Sequence, residues 1–343
     1  MKKVSRRDFI KVSTLIGAGL ALASAGYIFT RREAPQIPTV QRTKVFLTKT
    51  EDRALGVRTL LSNFDLKTFA GKSVALKANF NSADEFPAST HLDTLSSLVT
   101  ALKDAGTREI TLAERSGMGS TRDVLESRGV FELSRKLGFK VVVIDDLTDG
   151  ELVHVNPEGS HWKRGFLIAK TFRDADRVVQ TCCLKTHAYG GHFTMSLKNS
   201  VGLVTRFPPF PDYSYNYMQE LHSSPDHRLL IAEINQAYRT DLIIMDGIQA
   251  FVSGGPASGK IVSPSAMIAG NDRVAVDAVG VAILRMFGTT PQVSAGKVFE
   301  QEQIARAAEL GVGVRSPEEI DLQAVEGESS EFVQRIRSLL DQK

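Results

Sequence analysis

Short apolar runs rich in β-branched residues alternate with amphipathic helical patterns along most of this chain, and that alternation restricts the fold more than any other feature. Residues 44–48, 73–79, 109–114, 140–145, 177–183, 242–245, 266–269 and 320–325 read as strands. Between and after them, 53–61, 91–105, 121–137, 229–238, 274–286, 303–310 and 332–340 repeat apolar residues at helical spacing. Strands separated by helices imply a largely parallel sheet covered on both faces, because a parallel connection must cross over the sheet. The expected class is α/β, as one large or two closely packed lobes: 44–205, carrying the site, and 206–343, opening with a long loop. Thr90 is the expected N-cap of helix 91–105, and 152–155 is expected to pair antiparallel with 165–170.

In a parallel sheet the strands end on one edge, where loops converge and ligands bind. Lys77, Asn79, Glu114, Arg115, Asp145, Asp146, Lys185, His187 and Asp246 all fall at or just after the end of an expected strand. Polar residues also end strands simply because strands end at water. The mixture of charges here nevertheless suits an anionic ligand, or a metal with its supporting groups.

The densest chemistry lies between Val178 and Arg206, where VVQTCCL is followed by Lys185, Thr186 and His187, then AYGGH and FTMSLKNSVGLVTR. His187 and His192 stand at opposite ends of a turn containing Gly190 and Gly191 and are expected to face one point. Imidazole near neutral pH serves as an acid/base group or a metal ligand, so both residues are candidates for either role. Lys198 sits on a helix expected to start near Thr194, whose apolar residues leave little of its surface for water. It is a candidate catalytic residue or covalent cofactor carrier, and Lys77, Lys185, Asn79, Asn199 and Arg206 are candidates to bind an anion.

Farther along, GGPASGK at 254–260 resembles a phosphate-binding loop but lacks the hydroxyl that would hold magnesium, Ile261 standing in that place. Gly254 and Gly255 remain candidates to meet a small anion through backbone N–H groups. Asp272 reads as a helix N-cap. Asp277, surrounded by Val276, Ala278 and Val279, reads as buried and in need of a partner, Lys198 or Lys77 being preferred. Asp246 and Asp277 complete the expected substrate site. The segment 206–227, with four prolines and three tyrosines, reads as a lid, a binding loop or a surface wrap.

LKTH at 184–187, SLKN at 196–199 and GL at 202–203 resemble the signature of family 362 of the domains of unknown function. LKAN at 76–79, MDGI at 245–248 with GGPASG at 254–259, and AGNDRVAVDAV at 269–279 agree with it in order. The resemblance spans roughly 73–313 and implies distant similarity to nickel-pincer lactate racemases, in which a lysine shortly after a histidine carries a covalent pyridinium-type cofactor. His187 and Lys198 have nearly that separation. Where most relatives place proline and lysine before LKTH, this chain has Cys182 and Cys183, which puts any role of that lysine in doubt here.

The amino terminus is specific. Ser5, Arg6, Arg7, Asp8, Phe9, Ile10 and Lys11 fit the twin-arginine export pattern, followed by an apolar run at 12–29. Residues 1–30 are therefore expected to be a signal peptide or an anchor, 31–43 a linker, and the twin-arginine translocase a partner. The protein would then be periplasmic or otherwise extracytoplasmic, touching the membrane through this segment alone. A net charge of +3 with no basic aromatic stripe gives no basis for nucleic-acid binding. Two adjacent cysteines exclude an iron–sulfur cluster held within the chain and do not make a disulfide framework.

These features favour an exported enzyme that uses a divalent metal or a covalently held cofactor on a small anionic substrate, in racemase-like, isomerase-like or redox chemistry. The alternatives are a non-catalytic exported solute-binding protein and a redox accessory protein working with an iron–sulfur partner.

Overall fold

Strand β7, Arg177–His187, runs through the centre of the molecule with all but its first residue buried. The computed structural model describes residues 42–209, 213–325 and 329–342. The expected leader and most of the linker lie outside these residues. In chain order the other strands are β1 (Thr43–Lys49), β2 (Ser73–Lys77), β3 (Glu109–Glu114), β4 (Lys140–Val143), β5 (Leu152–Val155), β6 (Phe166–Ala169), β8 (His192–Thr194), β9 (Leu242–Gly254), β10 (Gly259–Val262), β11 (Ala266–Gly270) and β12 (Ile320–Ala324).

The main sheet has the order β12-β1-β11-β9-β7-β2-β3-β4, with β8 beside β7 and β10 beside β9. From β9 to β4 every pair is parallel, and β12 is parallel to β1. β11 runs antiparallel between β1 and β9. The fold is a mostly parallel mixed α/β sheet, as the alternation implies. Both sequence ranges, 44–205 and 206–343, supply strands to it, so a boundary at 205/206 separates no sheets. β5 and β6 pair antiparallel in a small sheet of their own, as expected.

Alternate residues of each strand feed opposite faces. Leu76, Leu112, Val179, Leu242 and Ile244 pack into one core, with apolar residues of helices 53–61 and 92–104. Ile243, Met245 and Ile268 pack on the other face beneath helix Arg273–Met286. Ala75, Ala113 and Val178 extend that second face beneath helices Tyr217–Ser223 and His227–Ile234.

Several boundaries differ from expectation: β9 runs on from 245 to Gly254, and the helix expected near Thr194 starts at Ser196, Thr194 closing β8. β7 continues four residues beyond Cys183, so Lys185 and His187 project from a strand instead of a loop. The helix beginning at Leu92 is capped by His91, whose ring accepts from Asp93 N–H, while the Thr90 hydroxyl is committed to Asn79 N–H at 2.8 Å. Segment 206–227 is not wholly irregular: Asn216 caps a helix whose first turn follows at once. Among the described residues no helix is long and apolar enough to cross a membrane.

Candidate functional site

Because β2, β3 and β7 are parallel neighbours, their carboxyl ends bring Lys77, Glu114, Lys185 and His187 to one edge of the sheet. Beyond that edge lies a cavity of about 670 Å³. Asn79, Arg115, Lys198, Asn199, His222 and His227 also line it.

Lys77 is fully buried, and its Nζ donates to Glu114 Oε1 at 2.6 Å and to Asn199 Oδ1 at 3.3 Å. Burial lowers the Lys77 pKa and raises that of Glu114, each shift partly offset by the other charge. Among the described residues Lys185 has no carboxylate within ion-pair distance. Its ammonium donates to Asn79 Oδ1 at 3.0 Å, to the Ala88 carbonyl and to Pro256 O at 3.4 Å, all neutral oxygens. Arg115 likewise spends its guanidinium on the carbonyls of Val204, Ser116 and Val201, and burial pushes its pKa down to about 10.

Lys198 differs from all of these: among the described residues its Nζ has neither a hydrogen-bond nor an ion-pair partner. Burial, then the charges of Arg115 and Lys185, push its pKa down to about 7. Its backbone is firmly held. The Asp277 carboxylate accepts from Ser196 N–H at 2.7 Å and Leu197 N–H at 3.0 Å, and Asn235 Nδ2 donates to Leu197 O at 3.1 Å. Asp277 therefore anchors the turn that carries Lys198 and pairs with neither Lys198 nor Lys77, correcting the expected partnership. The two backbone N–H donors take the place of a bonded cation, although burial still pushes the Asp277 pKa up to about 7.

His187 is nine-tenths buried. Its pKa lies well below the ordinary range because of burial and then the charge of Lys198, so the ring is neutral near pH 7. Among the described residues His187 Nδ1 and His227 Nε2 are buried atoms with no hydrogen-bond partner, and Thr194 Oγ1 on the same wall is another. His222 Nδ1 donates to Met218 O at 2.7 Å, which fixes its tautomer and leaves Nε2 without its proton. The rings of His222 and His227 lie 5.1 Å apart, and burial with the Lys198 charge lowers His227 to about 3.

Several expected members stand elsewhere. His192, opposite His187 across the β7–β8 ladder, adopts a left-handed backbone with φ 59°, and its half-buried ring is not on the cavity wall. Among the described residues no group of three or more His, Cys, Asp or Glu is placed to hold a metal ion, so the His187–His192 metal pairing finds no support in the geometry. Asp246 follows Met245 and so points to the opposite sheet face, where it accepts from Arg53 Nε at 2.9 Å and Thr94 Oγ1 at 2.6 Å. Thr94→Val should therefore cost about 1–3 kcal/mol by exposing the shortfall around that carboxylate, measurable by urea unfolding. Arg206 donates to Ser116 O and Gly117 O at 3.2 and 3.3 Å and borders a second cavity.

Gly254 and Gly255, with φ of 78° and 75°, shape a turn. Gly255 N–H is taken by Ser258 O at 2.6 Å, and a Cβ there would meet Thr186 O at 2.0 Å. The turn does contribute Pro256 to the cavity wall. Cys182 and Cys183 are buried free thiols whose pKa values burial raises, so they stay protonated and inert.

Residues 74–282, which hold β2, β3, β7 and β9 and every lysine of the cavity, match the family described as a domain of unknown function, DUF362. The chain belongs to that family. A thylakoid-associated protein of Synechocystis sp. is 26% identical over 235 residues, covering 67% of this chain and 68% of that protein. The lactate racemase apoprotein of Thermoanaerobacterium thermosaccharolyticum aligns with a TM-score of 0.39 at 18% identity, over 66% of this chain and 54% of the racemase. The chain thus spans about half the length of that enzyme, and at this distance the likeness says nothing about chemistry.

In this DUF362 chain, His222, His227 and Thr194 were not singled out as site residues by sequence reasoning. HSSPDH at 222–227 carried the only available signal, two histidines close together in the segment read as a lid or wrap. Gly191 holds the centre of the site tight: a Cβ there would stand 2.7 Å from Lys198 Cε and 3.2 Å from His187 Nδ1. Gly191→Ala should displace the lysine and weaken binding of small anions about tenfold with little change in unfolding midpoint, as calorimetry and thermal melts would show.

Proposed function

We propose that this DUF362 protein is an enzyme that binds a small organic anion in the cavity and moves a proton on it, with Lys198 and His187 as the acid–base groups. The observation that carries this reading is a charge imbalance. Lys185, Lys198 and Arg115 line the cavity, and among the described residues the one carboxylate on its wall, Glu114, is committed to Lys77. An anionic ligand would supply the missing charge where water is excluded and Coulomb attraction is strong.

An amine buried without a carboxylate destabilises the fold, and such groups concentrate where chemistry needs them. A protein that only bound solute would gain more from a fully charged lysine. With its pKa near 7, Lys198 exchanges a proton readily at neutral pH, and the neutral imidazole of His187 flanks it across Gly191. A covalently held cofactor would find its attachment point at Lys198 Nζ, the unpartnered amine, and would supply an electron sink. Among the described residues no third His, Cys, Asp or Glu completes a ligand set with His187 and His192.

Calorimetric titration with oxalate, pyruvate and inorganic phosphate, with ribose as a neutral control, tests the reading. Binding of at least one anion should tighten as pH falls through about 7, where Lys198 gains its proton. Lys185→Met should weaken it by about tenfold or more. Anion binding no stronger than that of ribose would remove the basis for the proposal.

We also propose that the Ser5–Lys11 pattern directs twin-arginine export. Replacing both Arg6 and Arg7 by lysine should then leave the protein in the cytoplasm of its host, as fractionation would show.

A further inference from the structure

The cavity brings together an unpartnered primary amine, neutral imidazoles and surplus positive charge, a set that suits more than proton transfer. We propose that Lys198 condenses with the carbonyl carbon of a 2-oxo carboxylate, so that the substrate is held as an imine at the base of the cavity. The inference rests on the anion-binding reading above and deepens it by naming the substrate class.

The step is balanced without any outside oxidant or reductant. The Lys198 Nζ lone pair attacks the substrate C2 and forms a C–N bond. The two protons that Nζ gives up pass to the former carbonyl oxygen, which leaves as water as the C=N bond of the imine forms. Proton carriers are in place, since His187 Nδ1 and His227 Nε2 are buried, face the same cavity and have no partner among the described residues. Once formed, an imine that takes up a proton withdraws electrons from the adjacent C–H bond, making the proton there easier to remove.

Three observations favour an amine nucleophile here. Among the described residues Lys198 is buried with no counter-ion, whereas Lys77 has Glu114, and Lys185 and Arg115 are tied to neutral oxygens. The Asp277 cap and Asn235 fix its backbone, and Gly191 is packed so closely against its Cε that even a Cβ there would stand only 2.7 Å away, which holds the side chain in place. Nearby cations and burial keep a large share of the amine unprotonated near neutral pH, which is how buried lysines become nucleophiles.

The carboxylate requirement follows from charge. A protonated imine at Lys198 beside Lys185 and Arg115 would be a third uncompensated cation, and a neutral ketone would bring nothing to balance it. A carboxylate on the adjacent carbon would.

The test uses the full chain with pyruvate and cyanoborohydride, which reduces an imine to a stable secondary amine, read by intact mass and peptide mapping. The expected result is an intact mass before treatment that shows Lys198 unmodified, then one adduct per chain, on Lys198. Labelling should be at least about tenfold faster with pyruvate than with acetone or dihydroxyacetone phosphate. Lys198→Met, which removes the amine at similar side-chain length without adding a buried charge, should abolish the adduct while circular dichroism remains unchanged. Absence of an adduct, labelling spread over surface lysines, equal rates with acetone, faster labelling by dihydroxyacetone phosphate, or a Lys198 already occupied would each overturn the proposal. Oxalate calorimetry on the same sample separates the two readings. Oxalate binding without an adduct sinks the imine alone, whereas loss of both also sinks the anion site.

Discussion

Replacing Lys198 by methionine is expected to raise stability at pH 6 by on the order of 2 kcal/mol while abolishing chemistry at the cavity. The sign follows from proton counting. The unfolded chain holds the Lys198 proton up to its ordinary value of 10.5, but the folded chain releases it near 7. Between those values the unfolded state binds more protons, so wild-type stability rises with pH across that window. Below about pH 7 the full penalty of a buried, unpaired ammonium is present. Methionine removes that penalty and keeps a side chain of similar length. The advantage of the variant should therefore be largest below pH 7 and shrink as pH climbs toward 10.5, measured as urea midpoints at several pH values. A variant less stable than wild type at pH 6 would mean that the amine has a partner after all.

Removing the neighbouring carboxylate should have the opposite effect. Glu114→Gln leaves the Lys77 ammonium buried without its counter-charge, and loss of one member of a buried pair costs about 3–5 kcal/mol. Glu114 also accepts from the backbone N–H groups of Phe80 and Arg115, which links the end of β3 to the loop after β2. Adding Lys77→Met to Glu114→Gln should recover much of the loss, because the orphaned charge disappears with its partner. Urea unfolding of the two single variants and the double variant completes the cycle. Purely additive losses would mean that the two side chains do not depend on one another.

Strand–helix alternation made the sheet legible, because periods of two and of 3.6 residues are local properties of sequence. It also placed Lys77, Asn79, Glu114, Lys185 and His187 near one edge, since parallel neighbours share their carboxyl ends. What could not be read was which face each side chain takes at that edge. Asp246 lies one residue away from the parity that would have brought it to the cavity side of the sheet. His192 turns on a left-handed backbone angle that its residue type does not announce. Asp277 looked like the partner of a lysine because a buried acid needs one, but the backbone N–H groups of a turn 80 residues away in sequence served instead. His222 and His227 reach the site through the packing of two short helices, a tertiary arrangement with no local signature.

The central claim is that Lys198 is an unpaired amine in a cavity awaiting an anion. Its most direct test is a carbon NMR pH titration of protein labelled with ¹³C at the lysine Cε, the Lys198 resonance being assigned by its loss in Lys198→Arg. The account predicts a midpoint near 7 in the free protein and a clear upward shift when oxalate is bound, because a bound anion stabilises the ammonium form. A midpoint above 9 that does not respond to oxalate would contradict it.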